Sequence, residues 1–402
     1  MTLRTFLLGA AGACILAGGA AAQGFQNDGV KIGVLTDMSG TYSDIAGQGS
    51  VVAAEMAIED FGKQLNGKTV EVVSADHQNK ADISSATARQ WYDAEGVDAI
   101  FDLVTSATAL AVREVARERG KIDMVSGAAT TALTGKACSP TGFHWAYDTA
   151  ALANGTGGAT VKNGGDTWFF ITADYAFGHA LEADTSAVIE KDGGKVLGAV
   201  RHPFPNSDFS SFLLQAQASG AKVIGLANAG QDTTNAIKQA AEFGIVESGQ
   251  SLASLLMFIS DVHSLGMPAA QGLLLTTGYY WDLDDESRPF AQRFFDKTGK
   301  MPTLVHAGVY SSVLHYLKAV DAAGTDDGKT VAAKMHEMPV DDFFARNGEL
   351  RVDGRLVHDM YLARVKKPDA STKPWDYFEI VATIPGDQAY KPLSKDCALV
   401  TE

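Results

Sequence analysis

From residue 30 onward, short apolar runs rich in β-branched residues alternate with longer stretches in which apolar side chains recur every three or four positions. Runs of the first kind predict buried strands, and stretches of the second kind predict amphipathic helices. Residues 30–36 read as a strand, and 47–61 as a helix because Val51, Ala54, Ile58 and Phe61 share one face. The same logic predicts strands at 69–75, 99–103 and 122–125, with helices at 83–95 and 108–119 between them. A second series follows residues 145–148: helix 154–162, strand 167–172, helix 178–192, strand 195–200, helix 209–219, strand 222–227, helix 233–243 and strand 254–258. After 273–277 the pattern turns helical at 287–298, 305–323 and 329–335. A last strand pair falls at 356–366 and 377–384. Such alternation marks parallel sheets covered by helices, and two series in succession predict two α/β lobes.

The length agrees, since 402 residues exceed what one hydrophobic core organises. The beginning of the chain differs from the rest. Arg4 precedes an apolar run from Phe6 to Leu16, and the small residues Gly18 to Ala22 follow. This is the composition of a cleavable export signal at 1–22, with Ala20 and Ala22 marking cleavage before Gln23. Cys14 sits inside the apolar run rather than after it, which argues against a lipid anchor. No other segment approaches the ~20 apolar residues of a membrane span, so a soluble protein without direct membrane insertion is expected in the periplasm. Cleavage leaves Cys138 and Cys397, an even pair in an oxidising compartment, and a disulfide between them is expected, with two buried free thiols as the alternative. With 48 acidic against 33 basic residues the formal charge is −15, which repels phosphate backbones and excludes nucleic acid as a natural partner.

In open α/β sheets the chemistry sits in the loops that lead from strand ends into helix starts. Three such loops in the first series are rich in small hydroxyl residues and glycine: 35–49, with Tyr42; 104–108, with Thr105, Ser106 and Thr108; and 125–131, with Ser126, Gly127, Ala128, Ala129 and Thr130. Hydroxyls and free amides at the positive ends of helices suit a carboxylate, although Ser and Thr also serve there simply as helix caps. The second series contributes 174–178, with Tyr175 and Phe177; 228–232, with Asn228 and Gly230; and the aromatics Tyr279, Tyr280 and Trp281. Aromatic rings beside polar caps suit a ligand with an apolar body, and equally suit core packing. The chain contains no nucleophile elbow, phosphate loop, zinc-protease motif or dinucleotide fingerprint, and its nine histidines are scattered. No catalytic residue, cofactor or metal is therefore expected. Asp261 and His263 lie close enough in sequence to offer a charge partner for a ligand amine, or to be solvated loop residues.

Strand 32–35, then Thr36-Asp37-Met38-Ser39-Gly40, then Gly47-Gln48-Gly49 opening an Ala-rich helix, form an ordered set with Asp174-Tyr175-Ala176-Phe177-Gly178 and 272–279. Together they resemble the branched-chain amino acid binding proteins of ATP-driven importers, the leucine-binding group of type I periplasmic binding proteins. The resemblance implies two Rossmann-like lobes joined by a three-strand hinge, 28–146 plus 278–352 and 147–277 plus 353–402, that close on a ligand like a flytrap. It implies an ABC permease of the inner membrane as partner and a small-molecule carboxylate as ligand. The family's carboxylate-binding positions fall on Ser106, Thr108, Ala128 and Thr130. Tyr42 would cover the ligand, Phe177 would lie against its apolar body, and Asp261 would receive an α-ammonium. The family commonly has Glu and Tyr where this chain has Asp261 and Phe177. Amine-free aromatic or aliphatic acids therefore stay open as ligands beside hydrophobic amino acids, as does a sensing role on a receptor.

Overall fold

The structure, a computed structural model, describes residues 24–26, 29–62, 64–65 and 67–401. The export signal expected at 1–22 lies outside the described residues. The first sheet is built from β1 (Gly29–Thr36), β2 (Gln64–Leu65), β3 (Lys68–Asp76), β4 (Ala99–Asp102), β5 (Ile122–Val125) and β6 (Gly142–His144). Its order is β2-β3-β1-β4-β5-β6, and only the β2–β3 hairpin is antiparallel. Every residue of β4 and β5 is buried, as it must be when helices cover both faces. Those helices include α1 (Gly47–Phe61), α2 (Ala81–Gln90) and α3 (Ser106–Arg119). α2 runs on through a π-turn at Trp91–Glu95, so the helix expected at 83–95 is one continuous rod. The Trp91 ring fills the space beneath Gly33, where a Cβ would come within 2.4 Å of it.

The second series begins with α4 (Thr149–Leu152), a π-turn and α5 (Gly158–Lys162), one continuous helical stretch that starts five residues before the expected 154. It continues with β7 (Thr167–Ala173), α6 (Ala176–Lys191), β8 (Lys195–His202), α7 (Ser210–Ala218), β9 (Val223–Ala227), α8 (Gln231–Glu242), β10 (Ser251–Ser254), α9 (Ile259–Leu265) and α10 (Met267–Ala270). The four strands are parallel in the order β10-β9-β7-β8. The strand expected at 254–258 lies earlier, at Ser251–Ser254. Leu255 to Phe258 form a buried loop into α9, which a short apolar run does not distinguish from a buried strand.

The remainder comprises β11 (Leu274–Thr277), α11 (Ser287–Thr298), α12 (Leu304–Ala323), α13 (Gly328–Glu337), β12 (Glu349–Leu350), β13 (Leu356–Val357), β14 (Met360–Val365), β15 (Phe378–Ile384) and α14 (Gly386–Ala389). The long, largely buried α12 packs on α1 and β4, returning the chain to the first sheet. The antiparallel sheet β11-β14-β15 packs against β10 and the π-turn that follows α4. The chain passes between the two sheets in three places that touch one another. The buried guanidinium of Arg355 donates to the carbonyls of Trp145, Tyr147 (3.0 Å) and Leu356 (2.9 Å) and lies 3.7 Å from the Asp148 carboxylate. His358 Nε2 faces the Ala146 carbonyl at 2.9 Å, and a Cβ on Gly278 would meet the same imidazole at 3.0 Å. Turning His358 inward breaks the strand expected at 356–366 into β13 and β14. A disulfide joins Cys138 to Cys397, with 2.11 Å between sulfurs and 5.6 Å between Cα atoms, and ties the C-terminal tail to the segment before β6.

Candidate functional site

In each sheet the strand order reverses beside the first strand, between β1 and β4 and between β7 and β9. At such a point successive connections leave on opposite faces and open a crevice beyond the carboxyl ends of the strands. The loop after β1 is folded by Asp37, whose carboxylate accepts from the amides of Gly40 (2.7 Å) and Tyr42 (2.9 Å) and from Asn79 Nδ2 (2.5 Å). This local cap fixes Tyr42. After β4 the backbone of Asp102 and Leu103 takes φ of 77° and 55°, sparsely populated values for residues with a Cβ. The bend is held because the Asp102 carbonyl accepts from the amides of both Ser126 and Gly127, at 3.1 Å each, which joins the second and third hydroxyl-rich loops. A Cβ on Gly127 would come within 2.6 Å of Val104.

Ser106 opens α3, and its Oγ accepts from the Thr130 amide at 3.3 Å, so these two residues meet as expected. Thr105 and Thr108 turn their hydroxyls on each other at 2.7 Å across the first helical turn, and neither lines the cavity described below. Thr130 Oγ1 accepts from the Ala132 amide at 3.4 Å and caps a short 3₁₀ turn. The Ala128 carbonyl is engaged by His144 Nε2 at 2.8 Å.

On the second sheet, Tyr175 precedes α6, and its hydroxyl meets that of Tyr42 at 2.7 Å across the two crevices. The Phe204 ring stacks on both, 5.3 Å from Tyr42 and 4.6 Å from Tyr175. Gly230 holds φ +59°, and a Cβ there would come within 2.7 Å of the Thr41 carbonyl and 3.0 Å of the Tyr42 ring. Asn228 spends its amide internally, accepting from Thr233 Oγ1 (2.7 Å) and facing His202 Nε2 (3.2 Å). Asp261 Oδ2 accepts from the Phe258 amide at 2.8 Å and so caps α9. Tyr279 lies elsewhere: its hydroxyl donates to the Ser287 carbonyl and its ring packs on Phe290 and Phe343. His263 stacks on Trp375 at 4.0 Å between centroids and meets the Tyr377 hydroxyl, a surface packing arrangement.

The two crevices enclose a cavity of about 10 Å³, the room of about one water molecule. Of the residues expected at the site, Tyr42, Ser106, Tyr175 and Phe177 line it. Ile45, Val104, Ala129, Tyr147 and Leu256 line it as well. Tyr147 donates to the Gly127 carbonyl at 2.6 Å and belongs to the 145–148 crossing, which the sequence marks only as a boundary. Leu256 sits in the loop that reads as a strand end. Thr130 instead faces a wider groove of about 490 Å³ on the side of the C-terminal tail.

Three carboxyls on the elements that carry the crevice loops, Asp102, Asp232 and Asp261, are buried without a basic side chain hydrogen-bonded to any of them. Burial pushes Asp102 up to about 6, with the hydroxyls of Ser50 and Thr36 beside it holding it partly down. Burial likewise pushes Asp261 up to about 7, against the pull of the Phe258 amide, and Asp232 up to about 7, against that of Asn206. Among the described residues no cluster of three or more His, Cys, Asp or Glu side chains is arranged to hold a metal ion. No helix among them is long and apolar enough to cross a membrane.

The geometry has solved counterparts. A periplasmic binding protein from Burkholderia mallei is 56% identical, with TM-score 0.91, covering 93% of this chain and 100% of that one. A branched chain amino acid ABC transporter periplasmic ligand-binding protein from Burkholderia xenovorans LB400 is 43% identical, with TM-score 0.81, covering 90% and 97%. In sequence, a Leu/Ile/Val-binding protein homolog from Brucella melitensis is 27% identical over 88% of this chain and 91% of its own length. The model of one family, periplasmic binding proteins, matches residues 29–372. The chain belongs to the periplasmic binding protein family, whose fold binds solutes rather than transforming them.

Proposed function

We propose that this protein is the solute-binding component of an ABC importer and captures a small hydrophobic carboxylate, an amino acid or an amine-free acid, between two lobes. The lobes are 28–146 plus 278–352 and 147–277 plus 353–402. The observation that carries the reading is the meeting of two switch-point crevices on one cavity, with Ser106 at the start of α3 on one wall and the Tyr42–Tyr175 contact across it. The N-terminal end of α3 supplies positive potential for a carboxylate, and the Ser106 hydroxyl, whose oxygen accepts from the Thr130 amide, keeps its hydrogen to donate. Ile45, Val104, Phe177 and Leu256 supply apolar walls for its body. Because the cavity is the size of one water, the ligand enters by separation of the lobes at the three crossings.

The likeness to the Burkholderia xenovorans branched chain amino acid ligand-binding protein supports the amino-acid choice. Asp261 supports it in part, as a buried carboxyl with no cation beside it that an ammonium would stabilise, although one of its oxygens already caps α9. The test is calorimetry and thermal shift of the mature protein with leucine, valine, phenylalanine, benzoate and aliphatic acids. A bound ligand raises the midpoint. Ser106→Ala is expected to weaken the ligand found by about tenfold or more, the value of a charge-assisted hydrogen bond of about 1.5–3 kcal/mol. Unchanged affinity in Ser106→Ala sinks the assignment of the carboxylate end.

A further inference from the structure

After β15 the chain turns through α14 and runs on as a tail that is first anchored on the side of the second sheet. The Ala389 carbonyl accepts from Asn154 Nδ2 at 2.9 Å. The Tyr390 hydroxyl meets His358 Nε2 at 2.9 Å, and the Arg355 guanidinium lies over the Tyr390 ring, 4.5 Å from its centroid. Lys391 pairs with the buried carboxylate of Asp184 on α6. That carboxylate also accepts from Thr149 Oγ1 (2.6 Å) and from Thr131 Oγ1 (3.2 Å), and Thr131 belongs to the turn after the third hydroxyl-rich loop of the first sheet. Arg351 Nη1 donates to the Lys391 carbonyl at 2.6 Å. Six positions after Lys391, Cys397 is bonded to Cys138, which lies between β5 and β6 of the first sheet.

The polypeptide passes between the two sides at three crossings, and the disulfide adds a further covalent connection beside the groove that Thr131, Asp184 and Lys391 line. Separation of the lobes parts Thr131 from Asp184 and draws Cys138 away from the anchors of Tyr390 and Lys391. Six residues span at most roughly 20 Å when fully extended. The tail is shorter than that, because the Cys397 amide turns back to the Ser394 carbonyl at 3.1 Å. We propose that residues 390–397 form a strap: the Cys138–Cys397 bond makes them a tether that limits how far the lobes separate and holds the ligand-free protein near its closed arrangement. This rests on the closing of two lobes proposed as the function. A bridge that only kept the chain end from fraying would stabilise the fold without changing the amplitude of opening.

Small-angle scattering of the ligand-free mature protein tests the strap in three forms. These are the native chain, Cys138→Ser combined with Cys397→Ser, and a chain that keeps the disulfide but carries a flexible Gly/Ser insert of about eight residues between Leu393 and Ser394. On a radius of gyration of roughly 21 Å, both altered forms are expected to exceed the native value by about 1 Å or more. Leucine and benzoate are the probes of closure. Whichever binds by calorimetry is expected to return the altered forms to the native radius, with an affinity about threefold or more below native because the closed arrangement is less populated beforehand. The insert leaves the cross-link in place, so it separates a strap from a stabilising bridge and carries the test alone if the serine variant does not fold. A ligand-free radius equal to the native one in the insert form overturns the strap and leaves lobe closure standing, and this comparison decides the strap whether or not either probe binds. Binding of a probe without compaction of the expanded forms overturns the closing of the lobes and the strap with it.

Discussion

At the scale of single residues, the site is shaped by carboxyl groups that are buried without cations. Asp102 joins the cradle loops through its backbone carbonyl, while its buried carboxyl faces no cation and has only the hydroxyls of Thr36 and Ser50 beside it. Its pKa in the folded protein, about 6, exceeds the unfolded value near 4, so the folded state holds a proton that the unfolded chain releases between those values. This group therefore favours folding at the acid end of the window, and stability is lost as pH rises through it. Asp102→Asn lacks the titration, so its stability relative to the native protein should rise from about pH 4 to about pH 6–7 and then level off. Denaturant unfolding of both proteins at pH 4.5, 6 and 8 measures the trend. A difference independent of pH would mean that Asp102 titrates normally. Such pairings are invisible in the sequence, where Asp102 is one more acidic residue after an apolar run.

At the scale of elements, strand ends and helix starts do most of the positioning. The switch-point loops are short and tightly built, and Gly230 is where one crevice comes closest to the other. Its backbone, φ +59° and ψ −134°, lies where only glycine is comfortable. Gly230→Ala should lower the stability of the free protein by about 1–3 kcal/mol through strain alone. It should also weaken ligand binding, because the added methyl meets Thr41 and Tyr42 only when the lobes are together. Calorimetry with the preferred ligand decides: affinity equal to that of the native protein would show that this close approach is absent from the bound state. The same element ends explain what else the expected site residues do. Thr105 and Thr108 look like ligand donors in a Ser/Thr-rich helix start, but three residues apart on a helix they fall on one face and bond each other. Asp261, expected to receive an ammonium, is the third residue of α9, and one of its oxygens caps the helix start, as acids at that position do.

At the scale of the whole molecule, the three crossings and the C-terminal tail connect the two sheets. Arg355 holds the first and third crossings together through carbonyls at both, and the disulfide returns the tail to the first sheet after it has left β15. A cross-link closing a loop of such length constrains the unfolded chain strongly. Cys138→Ser combined with Cys397→Ser should cost about 2–5 kcal/mol and lower Tm by several degrees, with added reductant doing the same to the native protein. A native Tm indifferent to reductant would show that the bridge contributes nothing. The sequence alone fixed most of the architecture, because burial on both faces forces continuous apolar strands and 3.6-residue periodicity marks the helices between. The helices at 47–61 and 287–298 and the strand at 122–125 fall where the periodicity puts them. Tyr42, Ser106, Tyr175 and Phe177, which stand out in the sequence as hydroxyl and aromatic residues at switch-point loops, line the cavity. What only the tertiary structure decided is convergence: Tyr147 from a crossing and Leu256 from a buried loop come to the cavity that Tyr42 and Tyr175 line. Those relations link residues from 42 to 256 in the chain, and no periodicity within a single element carries information about which distant residues will meet when the sheets come together.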